Sequence, residues 1–481
     1  MIELTPVIKA GSRDRELIAP VPARPMPARD ATVAPGWRLA DLSRRFPALS
    51  NGALSVVDQA IVSGTSFVTA VIINRTVSAV EVGIYYVTLS IVIIALGIQE
   101  NVIVTPYVIY SKRRQGRELA EYAGSSWLQH FALTALCMLA LLVTIVGLSL
   151  VGAIEFVPGL WALLAASPLL LLREGIRRFA IADLNIGTAM VVDALVAAVQ
   201  IGGLILVGYL GALSIFSIYA VMAVACGLAC IAWYFLNATP IQFDRSRFWP
   251  DWRANWSFAK WSLQGFLVGN TAPYLMPWVV SVAVGAAAAG VLGACVTLVG
   301  LTTILLCGVD RVLAPRAALA FLTGGRQALG RVLFAAAAIL TLALGTFCVF
   351  AFATGSWLPE LVYGDQFQDS GPLLGVLALG GLITGLGMVA GNGLWAIEQP
   401  RSNFVADVVG LSVTIGTVAC LVVPFGPLGA ALATLAGTST ATATRFVTLI
   451  WALDSTRLVP VVGSIELPAH SEQNDSKGRQ S

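Results

Sequence analysis

Charged residues are scarce in this chain. Only 11% of its 481 residues are charged, whereas 57% are hydrophobic and the mean hydropathy is +0.83. Soluble domains carry charge on about 25% of their residues. The composition therefore excludes an ordinary soluble protein and indicates a chain that crosses a membrane several times. A net charge of +3 offers no basis for nucleic-acid binding.

Residues that usually build metal, redox and catalytic sites are also few. All seven cysteines lie in apolar runs, and neither of the two histidines, His130 and His470, has a cysteine or acidic cluster beside it. This pattern predicts small hydrophobic side chains rather than a disulfide framework or a metal centre. The chain also lacks a GxxxxGK[ST] motif and any recognisable nucleophile–base arrangement. We therefore expect no cofactor, no metal and no enzymatic activity.

The two ends of the chain are polar. Residues 1–50 are rich in Pro, Ala and Arg and lack an apolar core of the length that a signal peptide needs, so we expect no cleavable signal. Residues 454–481 end in "SEQNDSKGRQS". Both segments are predicted to be disordered cytoplasmic tails.

Between these tails lie apolar runs long enough to span a bilayer, which requires about 20 mostly apolar residues. We place twelve of them, near 55–74, 83–106, 127–152, 161–180, 187–208, 213–236, 258–283, 288–309, 332–354, 371–394, 404–423 and 428–450. The predicted fold is an all-α polytopic membrane protein with about twelve transmembrane helices. Two six-helix bundles, 51–236 and 258–453, are expected on either side of a linker, 237–257.

The connections between segments differ sharply in charge. Those that follow even-numbered segments hold sixteen Lys and Arg residues, whereas those that follow odd-numbered segments hold only Arg75. Cation-rich loops remain in the cytoplasm. Both termini are therefore predicted to be cytoplasmic, and an error in the helix count would spoil this asymmetry.

The two halves show weak internal similarity. "GYLGALS" between segments 5 and 6 resembles "GPLGAAL" between segments 11 and 12, and Asp193 and Asp407 precede these turns near the starts of segments 5 and 11. The order of the matches favours a parallel 6 + 6 repeat, a plan that transporters use to build a central cavity. The linker, with several Trp and Arg residues, is expected to lie at the membrane interface.

Segment 1 contains the polar stretch "VDQAIVSGTSFVTAVIINR", residues 57–75. At 100° per residue its polar side chains fall on one half of the helix and its apolar side chains on the other. That polar half suits water, another helix or a polar ligand. The stretch alone leaves these three possibilities open.

Several polar residues are predicted to lie in the inner third of the membrane. They belong to segments 1, 2 and 7 and are Asp58, Gln59, Gln99, Glu100, Lys260 and Gln264. Ionisable groups at this depth cost several kcal/mol unless they face water or a partner. We expect them to line one inward-opening cavity. The alternative is a fixed ion pair that joins the halves, such as Asp58 or Glu100 with Lys260.

Three further residues are candidates for contact with a ligand. Asn270 lies in segment 7 before Pro273 and Pro277, which together predict a kinked helix. Arg75 ends segment 1 at the outer side and could simply snorkel to the interface. Arg445 in segment 12 could snorkel too or could contact an anionic ligand.

"INRTVSAVEVGIYYVTLSIVI", "LPELVYGDQFQDSGPLLGVLALG" and "GPLGAALAT" resemble the polysaccharide-transport branch of the multidrug/oligosaccharidyl-lipid/polysaccharide exporter superfamily. The matching residues lie in the first hairpin and at the start of segment 10, and are Arg75, Glu81, Gly83, Tyr85, Tyr363, Gly364 and Phe367. The resemblance covers roughly residues 50–455. It implies two bundles that alternate between inward- and outward-open states around a cavity for the head group of a polyprenyl-(pyro)phosphate-linked oligosaccharide.

The resemblance further implies a multi-pass protein of the bacterial inner membrane that acts in O-antigen or exopolysaccharide synthesis. Its expected partners are the lipid-linked substrate, membrane lipid, a polysaccharide polymerase and glycosyltransferases. A cation-coupled multidrug antiporter of the same superfamily is the alternative, motivated by Asp58 and Glu100. A membrane glycosyltransferase is disfavoured because the longest outer loop, about 356–370, is short.

Overall fold

The computed structural model describes residues 51–455 apart from Ala153, Leu184 and 237–240, and every regular element in this part of the chain is helical. The predicted tail 1–50 and nearly all of the predicted tail 454–481 lie outside the described residues. Most of the helices have apolar stretches long enough to cross a bilayer. An α-helix satisfies its backbone hydrogen bonds internally, as the hydrocarbon interior requires.

The first half of the chain forms six helices. They are α1 (Asn51–Thr76), α2 (Ala79–Ser111), α3 (Gly116–Val151), α4 (Val157–Ala182), α5 (Ile186–Tyr209) and α6 (Ile215–Leu236). A π-helical turn, Glu100–Val104, interrupts the regular winding of α2. Such turns displace side chains locally within an otherwise continuous helix.

The second half begins with two broken helices. They are α7a (Phe248–Gly269) with α7b (Thr271–Ala283), and α8a (Ala286–Gly300) with α8b (302–324). The remaining four are α9 (326–354), α10 (Gly371–Ala396), α11 (400–425) and α12 (427–455). A short helix, Trp357–Tyr363, and a 3₁₀ turn, Asp365–Phe367, join α9 to α10.

Helices α8b and α9 form a hairpin without a loop. Their combined run of 53 residues, Thr302–Thr354, would measure about 80 Å as one straight helix. At Gly325, however, φ is 59° and ψ is −150°, a conformation that favours glycine. Leu306 and Leu344 both lie against Gly385. Because these two leucines are equally distant from Gly325, the chain must reverse there.

The same reversal joins α11 to α12 at Gly426, where φ is 55° and ψ is −130°. Thr414 lies against Gly437 across this turn. Each predicted segment therefore corresponds to its own helix or helical pair, which confirms the twelve-helix prediction. The helices form two lobes, α1–α6 and α7–α12, which we call lobe 1 and lobe 2.

The predicted kink in segment 7 is confirmed. Helices α7a and α7b meet at Asn270 with a bend of 46°. On the near side of the break, Asn255 of α7a bonds to lobe 1, accepting from Tyr122 at 2.8 Å and donating to Gln129 at 2.9 Å. Helix α7a also includes residues 248–257, so the described end of the predicted linker continues directly into the membrane helix.

The hydrophobic core differs between the two ends of the molecule. We use "inner" for the end that the charge asymmetry predicts to be cytoplasmic. Towards the outer end, one core joins both lobes and includes Tyr86 and Leu163 of lobe 1 with Leu292 and Leu374 of lobe 2. Gly83 lies directly against the backbone of Ala286, so that α2 and α8a approach closely.

Towards the inner end the lobes have separate cores. Tyr107 and Phe179 belong to a cluster within lobe 1 and α7a, whereas Leu333 and Leu449 belong to a cluster confined to lobe 2. A shared outer core with two inner cores describes lobes that touch outside and, apart from α7a, diverge inside.

Candidate functional site

A cavity of about 530 Å³ lies within lobe 2. Its lining comes from α7, α8b, α10, α11 and α12, and its polar members are Asn270, Asp310, Thr384, Asn392, Asn403, Asp407, Thr414, Thr434, Thr438, Thr442 and Arg445. The volume is within the usual range for ligand pockets, about 300–1,000 Å³. Trp395, at the inner end of α10, is 62% exposed and marks the mouth of the cavity.

Two of the charges in this cavity neutralise each other. Arg445 of α12 donates from Nη2 to Oδ1 of Asp407 on α11. Their side chains are about one-fifth exposed, at 20% and 22%. Asp407 also lies against Gly269 at the end of α7a. The pair therefore connects both legs of the α11–α12 hairpin and adjoins the break in helix 7.

Asp310 of α8b is held differently. Its Oδ1 accepts a hydrogen bond from Nδ2 of Asn392 at 2.7 Å, and Asn392 also donates to the carbonyl of Met388 at 3.1 Å. Within the described residues Asp310 forms no ion pair. The cavity lining thus contains two carboxylates and one cation, with the cation already paired.

Hydroxyl groups form one face of α12. Thr434, Thr438 and Thr442 are spaced four residues apart and therefore lie along one side of the helix. Thr438 donates to the carbonyl of Thr434 at 2.9 Å, and Thr442 donates to the carbonyl of Ile383 at 3.2 Å. Because each proton is used on the backbone, the hydroxyl oxygens present acceptor lone pairs to the cavity.

A second cavity of about 550 Å³ lies between the lobes. Both lobes line it, and residues shared with the first cavity include Asn270, Thr384, Thr434 and Thr438. Tyr86 of α2 is another lining residue. The two cavities therefore adjoin each other through these shared residues, and we call them together the polar cleft, after the lining of the first cavity.

The charges of lobe 1 form a separate buried network. Arg177 of α4 donates to Asp58 at 3.0 Å and to Asp193 of α5 at 2.6 Å. Arg173 also donates to Asp193, and Glu174 accepts from Arg173 at 2.9 Å. Asp58 and Asp193 are only 3% and 1% exposed. This network joins α1, α4 and α5 without facing the polar cleft.

The network corrects two predictions. Asp58 pairs with Arg177, and Glu100 lies 3.3 Å from Arg178, so neither carboxylate is paired with Lys260. The charge asymmetry assigns Arg173, Arg177 and Arg178 to the connection after segment 4, but α4 continues to Ala182 and includes them. Several carboxylates surround these arginines and compensate their charge, which allows the helix to carry them at this depth.

The polar half of α1 faces another helix. Thr69 lies on the same side of α1 as Asp58 and accepts a hydrogen bond from Gln200 of α5 at 2.8 Å. Asn74 donates to Tyr86 of α2 at 3.0 Å. Of the three possibilities that the sequence left open for this half, helix packing is the one observed for these residues.

The remaining candidates from segments 1, 2 and 7 are dispersed. Gln59 donates to Ser63 at 3.2 Å, and Gln99 is 2% exposed beside Gly175 of α4. Gln264 and Lys260 are exposed on α7a, where the Lys260 ammonium lies 5.5 Å from the centre of the Trp261 ring. None of the four lines the polar cleft. Of the nine candidates, the structure brings together Asn270 and Arg445.

Arg75 lies at the outer end and bonds across the lobes. Its Nε donates to the carbonyl of Val362 at 2.7 Å and its Nη2 to the carbonyl of Leu361. These are among the last carbonyls of the short helix before α10, and such carbonyls lack partners within the helix. Gln366 donates in return to the carbonyl of Asn74. The outer end of the cleft is thereby sealed.

No family model matches this sequence, and no curated protein matches it. Solved structures do resemble it. A multidrug resistance MATE family transporter of the MOP superfamily, in an inward-facing conformation, has a TM-score of 0.67 at 13% identity and covers 83% of this chain and 95% of its own. The fold is that of the MOP superfamily transporters.

Two further solved structures also resemble this chain. An outward-facing MATE family transporter has a TM-score of 0.57 at 11% identity, covering 84% of this chain and 94% of its own. The lipid II flippase MurJ, in an inward closed conformation, has a TM-score of 0.61 at 14% identity, covering 84% and 87%. The predicted transporter fold in a multi-pass membrane protein is confirmed.

Sequence reasoning missed Asp310, Asn392 and Asn403. Asp310 falls in the predicted connection between segments 8 and 9, beside Arg311. One signal was available: Thr434, Thr438 and Thr442 recur every four residues and end one turn before Arg445, so that one face of this helix carries hydroxyl groups up to an isolated cation.

Proposed function

We propose that this MOP-fold transporter is a flippase that moves a polyprenyl-(pyro)phosphate-linked oligosaccharide across the cytoplasmic membrane. The observation that carries the proposal is the chemistry of the cavity in lobe 2. Its polar lining consists mainly of hydroxyl and amide side chains with one mutually paired acid and base. Such groups match the many hydroxyls of a sugar, each of which both donates and accepts hydrogen bonds.

The planar side chains of the cavity add to this match. The Arg445 guanidinium, the Asp407 and Asp310 carboxylates and the Asn amides can each bond two neighbouring hydroxyls. At the mouth, the exposed ring of Trp395 offers a flat apolar surface on which the C–H face of a sugar ring can stack. A purely lipophilic substrate would leave this lining unsatisfied, at a cost for each buried polar group.

The charge of the cavity indicates where the phosphate group belongs. Arg445 is the single cation of the described lining, and Asp407 already neutralises it, while Asp310 adds a negative charge. A (pyro)phosphate inside this cavity would be repelled. We therefore expect the neutral sugars to enter and the phosphate to remain at the inner mouth.

Transport would follow alternating access, as the two-lobe fold allows. In the present state the outer end is sealed and the lobes diverge towards the inside. On this proposal the protein acts in the inner membrane beside the glycosyltransferases that build the substrate and the polymerase that consumes it.

Deletion of the gene tests the function. The deletion strain should lose its surface polysaccharide and accumulate the lipid-linked unit on the cytoplasmic leaflet, and the wild-type gene should restore export. A change of Thr438→Val in the cavity should restore export poorly, whereas Thr346→Val, on the exposed side of α9, should restore it fully. Normal surface glycan in the deletion strain would refute the proposal.

A cation-coupled drug antiporter is the second candidate, and Asp310 is the observation that favours it. Asp310 has no ionic partner among the described residues, and such a carboxylate in a membrane cavity can take up a proton, a metal ion or a cationic drug. Ethidium efflux that requires a proton or sodium gradient would support this candidate. Unchanged drug sensitivity in the deletion strain would count against it.

A further inference from the structure

The proposed function does not use a cavity that lies between lobe 1 and α7b. It has a volume of about 350 Å³ and lies between α2, α3, α4 and α7b. Its walls are almost entirely aliphatic, with Trp278 as the single aromatic residue of the lining. The volume alone is within the range of ligand pockets.

The lining offers no unused hydroxyl proton. Thr144 donates to the carbonyl of Ala140 at 2.9 Å, and Ser167 donates to the carbonyl of Leu164 at 3.1 Å. The remaining heteroatom groups are the thiol of Cys137, a weak hydrogen-bonding group, and the Trp278 indole, which is already bonded elsewhere. A polar molecule would lose its hydration here without replacement. The cavity therefore suits hydrocarbon.

The cavity lies at the level of the hydrocarbon interior of the membrane. Its contributions from α2, α3 and α4 fall near residues 91–98, 137–144 and 163–171, which are the central portions of these spans. A ligand in it would thus occupy the depth at which lipid chains already reside.

Only one layer of helix separates this cavity from the polar cleft. On α2, Ile91 faces the apolar cavity while Ser90 faces the cleft. On α7b, Trp278 faces the apolar cavity while Pro277 faces the cleft. The indole Nε1 of Trp278 donates to the Ser90 hydroxyl at 2.9 Å and closes the wall at this level.

The seam between α2 and helix 7 has two other contacts nearer the inner end. The ring of Phe266 lies against Gly97, and Ser262 donates to Asn101 at 2.6 Å. Both contacts involve α7a, on the other side of the break at Asn270. A rotation of α7a about that break would part these two contacts and open the inner portion of the seam.

We propose that the apolar cavity seats the isoprenoid chain of the lipid-linked substrate while its sugars occupy the polar cleft. This inference rests on the proposed function and adds a defined site for the chain. The occupant is an isoprenoid because the walls accept only hydrocarbon and because the sugar-binding cleft lies directly behind them. The sugars would cross the seam between α2 and helix 7, the phosphate would stay at the inner mouth, and the chain would remain on the membrane side.

Photocrosslinking tests the site. The purified full-length protein in lipid nanodiscs is irradiated with a polyisoprenyl monophosphate that carries a photoreactive group in its chain, and the adducts are mapped by mass spectrometry. We expect adducts on peptides that contain Cys137, Leu141 or Leu171. An excess of unlabelled polyprenol should compete, whereas phosphatidylcholine should not. Adducts elsewhere, or equal competition by phosphatidylcholine, would overturn the inference.

A pair of variants on α3 ties the site to transport. Ala140→Trp places an indole in the apolar cavity, where it would compete with the chain for space. It should lower both the adduct yield and polysaccharide export by about tenfold, which corresponds to about 1.4 kcal/mol of lost binding free energy. The matched control is Val143→Trp, at a position that is 64% exposed and outside the lining, and it should leave both unchanged. Fluorescence-detected gel filtration confirms that each variant is folded.

The outcomes separate the two proposals. If folded Ala140→Trp exports polysaccharide normally, the chain site is wrong and the flippase function stands. If the wild-type gene fails to restore export to the deletion strain, the flippase function is wrong. The proposed site for the isoprenoid chain is then wrong as well, because it rests on that function.

Discussion

Lobe 1 and lobe 2 carry an acidic residue at corresponding places in helices 5 and 11, and the two residues have different surroundings. Asp193 is 1% exposed and accepts hydrogen bonds from both Arg173 and Arg177. Asp407 lines the polar cleft and, among the described residues, bonds to Arg445 alone. The same residue type thus belongs to a sealed network in one lobe and to a water-accessible site in the other.

The difference shows how an internal repeat can divide structural and ligand-binding roles. Buried charges that saturate one another cannot readily exchange partners, because breaking one pair leaves another charge uncompensated. Partly exposed charges in a cavity can exchange a partner for a ligand at smaller cost. We infer that the charges of lobe 1 hold α1, α4 and α5 together, while those of lobe 2 receive the substrate.

The largest expected effect comes from breaking the network of lobe 1. Arg177→Met would leave Asp58 and Asp193 without their shared cation, and their side chains are at most 4% exposed. The loss of one partner of a buried pair costs about 3–5 kcal/mol. We expect little folded protein, measured by fluorescence-detected gel filtration and thermal unfolding of the detergent-solubilised chain.

Arg445→Met is the matched change in lobe 2. Because its partner Asp407 is 22% exposed, water can compensate much of the lost charge. Folded yield should stay near that of the wild type while export falls. Equal destabilisation by the two arginine changes would show that the lobes do not differ in this respect.

Asp310→Asn should be the clearest loss of function without loss of fold. The change removes the negative charge but preserves the size of the side chain and one hydrogen bond to Asn392. Export measured in the deletion strain should fall about tenfold, which corresponds to about 1.4 kcal/mol of lost interaction. Arg326, paired with Asp454 at 2.9 Å, provides a control, because Arg326→Gln lies outside the cavity and should export normally.

The outer seal should respond more mildly. Arg75→Met removes two charge-assisted hydrogen bonds to the carbonyls of Leu361 and Val362. Because Arg75 is exposed, water replaces part of what is lost, and we expect a several-fold shift towards the outward-open state. Labelling of a cysteine at Thr297, near Tyr86 in the sealed interface, by a membrane-impermeant reagent added outside should increase. Arg75→Lys should be intermediate, and unchanged labelling in Arg75→Met would mean that the seal depends on the apolar core alone.

The smallest effect is expected at Lys260. Its ammonium is exposed on α7a and has no carboxylate partner among the described residues. Lys260→Met should therefore leave yield and export unchanged, and it should not rescue a destabilised Asp58→Asn protein. Rescue in the double variant would place Lys260 near Asp58 in another state of the transport cycle.

Part of the candidate site could be predicted from the sequence. Asn270 was identified from the prolines that follow it and Arg445 from its isolation in an apolar helix, and both line the polar cleft. Asp310 was missed because it directly follows the predicted end of segment 8, although α8b continues to residue 324. Asn403 was missed because it lies beside polar residues at the start of α11, where local composition indicates a loop. Their common cavity forms only when α8b, α10 and α11 pack together.

The sequence by itself determined the helices and the polarity of their ends. Both depend on local properties: an apolar run must satisfy its own backbone in lipid, and cations collect at one membrane face. Only the tertiary structure decided which charges meet. Asp58 and Arg177 are 119 residues apart, and Asp58 alone is equally compatible with Lys260 or Arg177 as its partner. Helix packing brings α4 to α1 and leaves Lys260 exposed, and it thereby assigns lobe 1 to support and lobe 2 to the cavity.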